Sequence, residues 1–359
     1  MEQASLEEAR GLKPTNLSVR KLKHLLSAGA THVLGSDKNR VDQREKIWGL
    51  TVRKSGMFWR VLSKVQLTSY CDFLGVSIWF TYSVNEGHDP IVQVILGEDI
   101  DIDQFDRATC TLTSQDRARN VARDPYGVAR YFQLVMLALF ERLLGIKVGR
   151  CSVTSRMGVL GMIDAYMLFK EVQGRGGLHG HSLLWLVGTP AASRLQEKFR
   201  DQSFRARVCD YVEQTICAHL EGLTEHSIVK HRQSKQPNPS WATPPNPVDT
   251  NYESTVEKHL LDIVMSSQVH TCRKGACLIP DRYGRERCKR RVPFPLSNDY
   301  AVDEDGSYAV KRSIPMVNSF NKSASTSLMC NNDIKLITNG SATNDLVFYL
   351  TNYAAKKQG

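Results

Sequence analysis

Two histidines stand one residue apart in this chain, at the start of an apolar run. His179 and His181 lead into Ser182-Leu-Leu-Trp185, a pattern that favours a β-strand. Because residues i and i+2 of a strand point to the same face of its sheet, both imidazoles would be directed at one point. The glycines of Gly174-Arg-Gly-Gly177 predict a turn just before this strand. The pair therefore lies where a hairpin would begin its second strand.

A carboxylate and an amide lie on the strand predicted before that turn. The segment Ala165-Tyr-Met-Leu-Phe-Lys-Glu-Val-Gln173 predicts this strand, and a hairpin would place Glu171 or Gln173 beside the histidines. Two imidazoles and one carboxylate suit Mg²⁺ or Mn²⁺ acting on a phosphate oxygen, and they would also suit Zn²⁺. The alternative is one structural histidine with a second beside it by coincidence.

Two tyrosines near the end of the chain form a second candidate for chemistry. Tyr349 and Tyr353 are four residues apart, so a helix would place both phenols on one face, with Lys356 and Lys357 one turn later. A tyrosine hydroxyl is a poor nucleophile at its usual pKa of about 10. It can attack a phosphodiester when a metal polarises the phosphate and cations hold the strand. The alternative is a helix with two ordinary, half-buried tyrosines.

One histidine and three cysteines form a third candidate. A Cys₃His zinc site could be built from His270, Cys272, Cys277 and Cys288. Their spacing, H-x-C-x₄-C-x₁₀-C, is not that of a standard zinc finger, and free thiols in a loop fit it equally well. The cations between them and just after Cys288 would make a basic surface facing DNA: Arg273, Lys274, Arg282, Arg285, Arg287, Lys289, Arg290 and Arg291. The run 285–291 also resembles a nuclear-import signal, although a plain basic surface explains it too.

Composition limits the class of protein. The 359 residues suffice for two domains or one elaborate domain. The net charge of +10, from 47 basic and 37 acidic residues, fits a polyanionic partner such as nucleic acid, although an ordinary basic protein would also carry it. We expect no membrane span and no secretory signal, because no apolar stretch is long enough and the first residues are acidic and polar. Nine mostly isolated cysteines favour a reducing compartment.

Strand and helix patterns elsewhere predict the elements that would position these residues. Val76-Ser-Ile-Trp-Phe-Thr-Tyr82 is β-branched and aromatic, which favours a strand. Residues 116–146 have the apolar spacing of a helix that is interrupted near Pro125 and ends at Gly145. The other predicted elements are a loosely patterned helix over 22–34, a helical region over 191–223, a proline-rich loop over 231–250, a helix over 252–266, a polar hairpin over 302–315 and a last helix over 344–357.

Three of these motifs, in this order, resemble the replication-initiator (HUH endonuclease) domain of Helitron transposases, also called the Helitron helicase-like domain. The first is Trp79-Phe-Thr81, in the place of the family's strand motif. The second is Glu171-Val-Gln-Gly-Arg-Gly-Gly-Leu-His179-Gly-His181, which is similar to the family's E-x-Q-x-R-G…H-x-H. The third is the paired-tyrosine helix with its trailing lysines. The resemblance covers roughly residues 20–359.

The resemblance implies a metal site and an activity. His179 and His181 would bind Mg²⁺ or Mn²⁺, with Glu171 as the third ligand and Gln173 as the next choice. The activity implied is single-stranded DNA nicking and strand transfer through a 5′-phosphotyrosine intermediate. The residues that would act on the DNA are the nucleophiles Tyr349 and Tyr353 and, near the phosphate, Lys356 and Lys357.

The fold implied is α+β, a Rep-like central antiparallel sheet with flanking helices, together with a helical N-terminal region and a Cys/His insertion. We expect a basic, mostly helical region over 1–70 and the sheet with its helices and H-x-H site over 71–230. A proline-rich loop and the basic Cys/His segment would follow over 231–300, and the part with the paired-tyrosine helix over 301–359.

Two departures from the family open alternatives. Gly180 stands between the histidines where the family usually has an apolar residue, and glycine weakens a strand interior. Helitron proteins also continue into a superfamily 1 helicase, and this sequence has no G-x₄-G-K-[ST] loop. The resemblance implies two partners, single-stranded DNA and a separate helicase. It also implies a location in the nucleus. The alternatives are a DNA-binding remnant that has lost catalysis and a metal-dependent hydrolase of small phosphate esters, which would need no paired tyrosines.

Overall fold

A computed structural model describes residues 34–35, 76–148, 153–172, 177–190, 192–234 and 237–338. Its strands, in chain order, are β1 (Leu34–Gly35), β2 (Ile78–Ser83), β3 (Ile146–Val148), β4 (Val153–Ser155), β5 (Ile163–Val172), β6 (Leu178–Leu186), β7 (Leu278–Pro280), β8 (Glu286–Cys288), β9 (Ala301–Val302), β10 (Tyr308–Ala309) and β11 (Asn331–Leu336). Its helices are α1 (Pro90–Ile95), α2 (Ser114–Arg123), α3 (Pro125–Ala138), α4 (Ala192–Lys198), α5 (Gln202–Thr215), α6 (Glu225–Gln233), α7 (Tyr252–Ser267) and α8 (Lys322–Leu328), with a π-helical turn at Leu139–Leu143.

The central sheet is antiparallel throughout, and its strand order is β1-β5-β6-β2-β11. The predicted α+β fold is therefore confirmed, as are the β5–β6 hairpin and the strand at β2. The sheet also recruits β11 from the last part of the described chain, which pairs with β2 from Asn331↔Ser83 to Leu336↔Ile78. The strand that carries the histidine pair thus lies inside the sheet, between two long neighbours.

One face of the sheet is packed against the helices and forms the main core. The buried ring of Tyr82 stacks on Phe132 of α3, with ring centroids 5.8 Å apart. Tyr166 of β5 meets Phe140 of the π-helical turn, with centroids 4.7 Å apart. Burial of such large aromatic side chains is a main source of folding free energy. The sheet is therefore anchored from this face, and residues of the other parity, both histidines among them, point to the opposite face.

Gly180 belongs to the packed face, opposite the histidine side chains. A Cβ at this position would lie 2.5 Å from Cζ of Tyr82, far inside normal contact distance. Tyr82 is the direct cross-strand neighbour of Gly180, and its ring occupies the space that a side chain at position 180 would need. The Tyr82 ring thus leaves room only for glycine at position 180. The same ring packs over the strand at the point where glycine would otherwise weaken it.

The helix boundaries follow from their caps. Thr113 and Asp116 form a capping box at the start of α2, and the Asp124 side chain caps α3, whose first residue is Pro125. The interruption predicted near Pro125 is confirmed. Gly145, with φ of 68°, follows the π-helical turn, as expected of a C-terminal glycine.

Two predicted boundaries are wrong. The helical region expected over 191–223 consists of α4 and α5 and ends at Thr215, because Asp201 caps a new helix and Cys217 pairs with Phe320 through two backbone hydrogen bonds of 2.8 Å. The loop expected over 231–250 begins only after Gln233, where α6 ends. The helix predicted over 252–266 and the polar hairpin predicted over 302–315 are confirmed by α7 and by β9–β10.

A second apolar cluster lies beside the main core. It joins α6 and α7 to residues 314–320 through Ile228, Val264, Val317 and Phe320. The loop that follows α7 begins on this cluster, because the His270 N–H donates to the Met316 carbonyl at 2.8 Å. In the described ranges, no helix is long and apolar enough to cross a membrane.

Candidate functional site

The strand register gathers polar residues on the sheet face opposite the main core. Glu171 and Ser83 are the direct neighbours of His179 on either side. Thr81 is the neighbour of His181, and Asp333 in turn is the neighbour of Thr81. Directly opposed residues of antiparallel strands point to the same side. We call this set the His-pair face: Glu171, His179, His181, Ser83, Thr81 and Asp333.

Glu171 and His181 are in direct contact. The Oε2 atom of Glu171 lies 3.0 Å from Nε2 of His181, whose side chain is 1% exposed, whereas that of Glu171 is 22% exposed. Two ligands at right angles on one Mg²⁺ or Mn²⁺ ion would be about 3 Å apart. Oε2 of Glu171 and Nε2 of His181 are therefore as far apart as adjacent ligands of one ion would be. Of the two side chains, that of Glu171 is the one that solvent reaches.

His179 stands across from this pair. Its ring centroid is 4.4 Å from that of His181, at an interplanar angle of 79°, and its Nδ1 lies 2.6 Å from Oγ of Ser83. Burial, followed by the nearby His181, lowers the pKa of His179 to about 3. The imidazole is thus neutral, the form that binds metals. Ser83 fixes the ring through one nitrogen, as partners of metal-binding histidines commonly do, and leaves Nε2 for a cation.

Residues of β2 and β11 extend the His-pair face. Lys335 places Nζ 3.7 Å from Oδ2 of Asp333 and 5.2 Å from the ring centroid of Trp79, and that ring lies 6.4 Å from the ring of His181. Burial raises the pKa of Asp333, against the pull of Lys335. No pattern in the sequence indicated a role for Asp333 and Lys335, because only the pairing of β11 with β2 brings them here.

The Cys/His cluster (His270, Cys272, Cys277 and Cys288) is drawn together more tightly. One ligand atom from each of the four residues lies within 4.8 Å of all the others. Nε2 of His270 is 3.5 Å from Sγ of Cys277 and 3.4 Å from Sγ of Cys288. Within the described ranges, this is the only group of three or more such side chains whose ligand atoms converge in this way. The cluster predicted from the sequence could therefore hold a metal ion such as Zn²⁺.

Short backbone contacts build the Cys/His cluster. The β7–β8 hairpin pairs Leu278 with Cys288, which brings Cys288 next to Cys277, and the Lys289 N–H donates to the Cys277 carbonyl at 2.8 Å. The three cysteines form no disulfide. Burial and the adjacent thiols of Cys288 and Cys277 raise the pKa of Cys272 to about 11. A zinc ion would bind the cysteines as thiolates and release their protons.

Five predicted site residues fall outside the described residues: Gln173, Tyr349, Tyr353, Lys356 and Lys357. The helix predicted over 344–357 also falls outside them, as does the helix predicted over 22–34 except for its last residue, Leu34, which lies in strand β1 and not in a helix. The roles inferred for these residues stay predictions.

Comparison with protein families gives one match that spans more than half of the chain. The model of the Helitron helicase-like domain at the N-terminus matches residues 1–184. The chain belongs to the Helitron helicase-like domain family. This membership indicates a function related to Helitron transposition and an interaction with DNA. No curated protein matches the chain, and no solved structure does.

Of the two candidate metal sites of this Helitron helicase-like domain, the family match includes the histidine pair and not the Cys/His cluster. It includes β2, β5 and both histidines and ends at Leu184, inside β6. The Cys/His cluster and β11 lie after the matched residues. Their arrangement is thus a finding of the structure that the family match does not cover.

Proposed function

We propose that this chain nicks single-stranded DNA and transfers the cut strand through a 5′-phosphotyrosine intermediate, as the endonuclease part of a Helitron transposase. The observation that carries the proposal is the contact of Glu171 with His181, beside His179, on one face of the central sheet, where the carboxylate is partly open to solvent. Family membership supplies the DNA, and the net charge of +10 agrees with it.

The donor set fits a divalent cation. His179, His181 and Glu171 would hold Mg²⁺ or Mn²⁺, and fewer than six protein ligands would leave positions for water and a phosphate oxygen. When bound, the ion supplies a positive charge that polarises the phosphate and stabilises the charge of the transition state.

Other residues of the His-pair face fit a DNA strand. The half-buried Trp79 ring offers a surface on which a base can stack, and the exposed Lys335 next to it offers a cation for the backbone. Ser83 keeps the His179 ring in place. The strand would thus lie along β2 and β11 with one phosphate next to the histidines.

The nucleophile in this proposal is Tyr349 or Tyr353. The phenolic oxygen loses its proton and bonds to phosphorus, the bond from phosphorus to the 3′ oxygen breaks, and that oxygen takes up a proton. The products are a tyrosyl ester of the 5′ phosphate and a free 3′-OH. The second tyrosine allows a second cleavage while the first end remains attached.

The chain length permits this arrangement. Strand β11 lies two strands from the histidine pair, roughly 10 Å to the side, and Thr338 lies five residues past Asp333, roughly 17 Å further along the strand direction. The eleven residue steps from Thr338 to Tyr349 can span up to about 36–40 Å when extended. This length is enough for Tyr349 to reach the His-pair face.

The test is a covalent adduct. The chain is incubated with 5′-labelled and 3′-labelled single-stranded DNA and Mn²⁺, and adducts are separated on a denaturing gel. We expect an adduct that carries the 3′ label only, and its loss in Glu171→Gln and in the double variant Tyr349→Phe/Tyr353→Phe. Glu304→Gln, at an exposed carboxylate of the β9–β10 turn, is the matched control. An adduct that survives the double tyrosine variant would refute the assignment of the nucleophile.

A second candidate is a DNA-binding remnant without catalysis. It is favoured by one observation, that the three ligands of the His-pair face do not converge as those of the Cys/His cluster do. It predicts salt-sensitive DNA binding that His179→Ala leaves unchanged, and no adduct at any Mn²⁺ concentration. Nicking that is abolished by His179→Ala would reject it.

A further inference from the structure

We propose that the tip of the β7–β8 hairpin binds a single strand of DNA, with a base stacked on Tyr283 and phosphates held by Arg282 and Arg285, and that zinc in the Cys/His cluster holds this hairpin in place. The contact is made by residues other than those of the His-pair face, so it goes beyond the proposed function and does not require nicking. It also lies beyond the family match, which ends at residue 184.

The first step is the geometry of the Cys/His cluster. With zinc about 2.3 Å from sulfur and about 2.0 Å from nitrogen, the ligand atoms of a tetrahedral site lie about 3.5–3.8 Å apart. Nε2 of His270 lies 3.5 Å from Sγ of Cys277 and 3.4 Å from Sγ of Cys288. Sγ of Cys272 lies within 4.8 Å of one ligand atom of each of the other three residues. Small side-chain movements would therefore seat one zinc ion with four ligands.

The second step is that the cluster closes the base of a hairpin that has little else to hold it. Cys277 directly precedes β7 and Cys288 ends β8, and each of these strands has only three residues. Between residues 271 and 291, Cys277 is the only buried residue. Segments with so small an apolar core commonly depend on a metal for their structure. A zinc ion would thus tie the two strands together at the end opposite the tip.

The third step is that the turn at the tip is preformed. Oδ1 of Asp281 accepts hydrogen bonds from the N–H groups of Tyr283 and Arg285, at 2.8 Å and 2.9 Å, and the Asp281 N–H donates to the Arg285 carbonyl at 2.8 Å. Gly284 has a φ of 76°, a conformation that favours glycine. These bonds fix the backbone that carries Arg282 and Tyr283, which reduces the entropy lost when a ligand binds there.

The fourth step is the chemistry of the tip. The Tyr283 side chain is 64% exposed, and the guanidinium carbons of Arg282 and Arg285 lie 4.6 Å and 5.1 Å from its ring centroid. An exposed aromatic ring beside cations is the combination that binds single strands, because the ring stacks on a base of any identity and the cations bind the backbone. A duplex keeps its bases stacked on each other and would offer the ring no base face.

The charge of the surrounding segment favours the same partner. Residues 271–291 contain eight cations and two carboxylates, an excess of six within a chain whose net charge is +10. The two carboxylates, Asp281 and Glu286, each lie within 3.6 Å of a cation of the segment itself. The positive charge that remains suits the phosphates of a nucleic acid strand. Family membership indicates an interaction with DNA, which favours DNA over an acidic protein.

The chain offers a matched control for Tyr283. Tyr126 on α3 is 59% exposed, and the guanidinium carbon of Arg130 lies 5.8 Å from its ring centroid. Tyr126→Ala and Tyr283→Ala therefore each remove an exposed ring that lies beside an arginine. Only the second removes that ring from the β7–β8 hairpin.

The experiment uses the full chain without added Mg²⁺ or Mn²⁺. Zinc content is measured by mass spectrometry, and binding of a fluorescein-labelled oligothymidylate, or of a labelled duplex, is measured by anisotropy. We expect zinc in the wild type and in Tyr283→Ala, and its loss in Cys288→Ser. Tyr283→Ala should weaken binding of the single strand about tenfold, as for one lost stacking contact. Tyr283→Phe, which keeps the ring, and Tyr126→Ala should stay within about twofold of the wild type.

The phosphate contacts are tested by the salt dependence of the same binding. The double variant Arg282→Ala/Arg285→Ala should reduce the slope of log affinity against log salt concentration by about 1.4, which corresponds to two phosphates of a single strand. An unchanged slope would contradict the role of the two arginines.

The link between zinc and the hairpin is tested with a chelator. Zinc removal should weaken DNA binding of the wild type by at least about tenfold and change the triple variant Arg282→Ala/Tyr283→Ala/Arg285→Ala little, because both act through one hairpin. Four results would each overturn the inference: absence of zinc from the wild type, equal effects of Tyr283→Ala and Tyr126→Ala, an equal loss of duplex binding in Tyr283→Ala, or an equal effect of the chelator on the triple variant. A failure of the proposed function would look different, since the covalent adduct would be missing while the zinc and DNA-binding results held.

Discussion

The Cys/His cluster and the His-pair face hold their candidate ligands in opposite ways. Four ligand atoms of the cluster converge within 4.8 Å, yet they sit on loops and two very short strands. On the His-pair face, the ligands sit on long paired strands, and one close contact, between Glu171 and His181, joins two of the three. The ligands of the first region lie on a backbone with little regular structure of its own. The ligands of the second lie on strands that are held by their own pairing.

This difference matches two uses of metal ions. A closed set of four protein ligands is typical of structural zinc, and an incomplete set with open positions is typical of catalytic sites. The sheet keeps its geometry through ladder hydrogen bonds and the packing of Tyr82, so an ion at the His-pair face would not be needed to hold the strands in place. We therefore expect changes in the Cys/His cluster to affect mainly stability, and changes in the His-pair face to affect mainly metal binding.

The largest effect should come from the Cys/His cluster. Cys277→Ser should lower the free energy of unfolding by about 5 kcal/mol, since the binding free energy of structural zinc is folding free energy. Thermal unfolding with and without zinc measures the change. Cys209→Ser, at a partly exposed free thiol of α5, is the control and should shift the midpoint little. Equal midpoints for both variants would contradict a structural ion.

The next effect should appear at the His-pair face, in affinity and not in stability. Glu171→Gln keeps the size of the side chain but removes the charged ligand. It should weaken Mn²⁺ binding about a hundredfold, which is the upper end of the loss seen when a residue that only supports a ligand is changed. Its unfolding free energy should change by less than about 1 kcal/mol. Calorimetric titration with Mn²⁺ and thermal unfolding of the same samples decide the point. A large loss of stability with unchanged Mn²⁺ affinity would reverse the comparison.

A smaller effect is expected from the packing beneath the histidines. Gly180→Ala should destabilise the fold by about 2 kcal/mol, the usual cost of overpacking, because its Cβ would meet the Tyr82 ring at 2.5 Å. Gly87→Ala is the control, since a Cβ there would meet nothing within 4 Å. Adding Tyr82→Leu to Gly180→Ala should recover part of the loss. Chemical denaturation measures all four proteins, and a neutral Gly180→Ala would show that the strand yields.

The smallest effect concerns Ser83. Ser83→Ala removes the 2.6 Å contact with Nδ1 of His179, and it should weaken Mn²⁺ binding about tenfold by freeing the ring. Ser83→Thr, which keeps the hydroxyl, should restore most of the affinity. If alanine and threonine give the same affinity as the wild type, the serine does not orient the ligand.

Local patterns in the sequence were enough for the elements that carry the ligands. The alternation around His179 and His181 and the spacing to Glu171 predicted the β5–β6 hairpin, and the aromatic run before Ser83 predicted β2. These features depend on periods of two residues and on turns, which act over short distances. The four residues of the Cys/His cluster were also a candidate zinc site from the sequence, although their spacing fitted free thiols in a loop equally well.

Contacts between distant segments could not be predicted in the same way. Nothing local indicates that Asn331–Leu336 becomes the neighbour of β2, more than two hundred residues earlier. The positions of Asp333 and Lys335 on the His-pair face follow from that pairing alone.

The close fit of Gly180 to Tyr82 has a consequence for the evolution of the family. The side chains at positions 82 and 180 compete for the same space, so a substitution at one position limits which residues fit at the other. Relatives with an apolar side chain between the two histidines should carry a smaller residue in place of the tyrosine. An alignment of Helitron helicase-like domains should therefore show covariation between these two columns, with glycine and tyrosine arriving together.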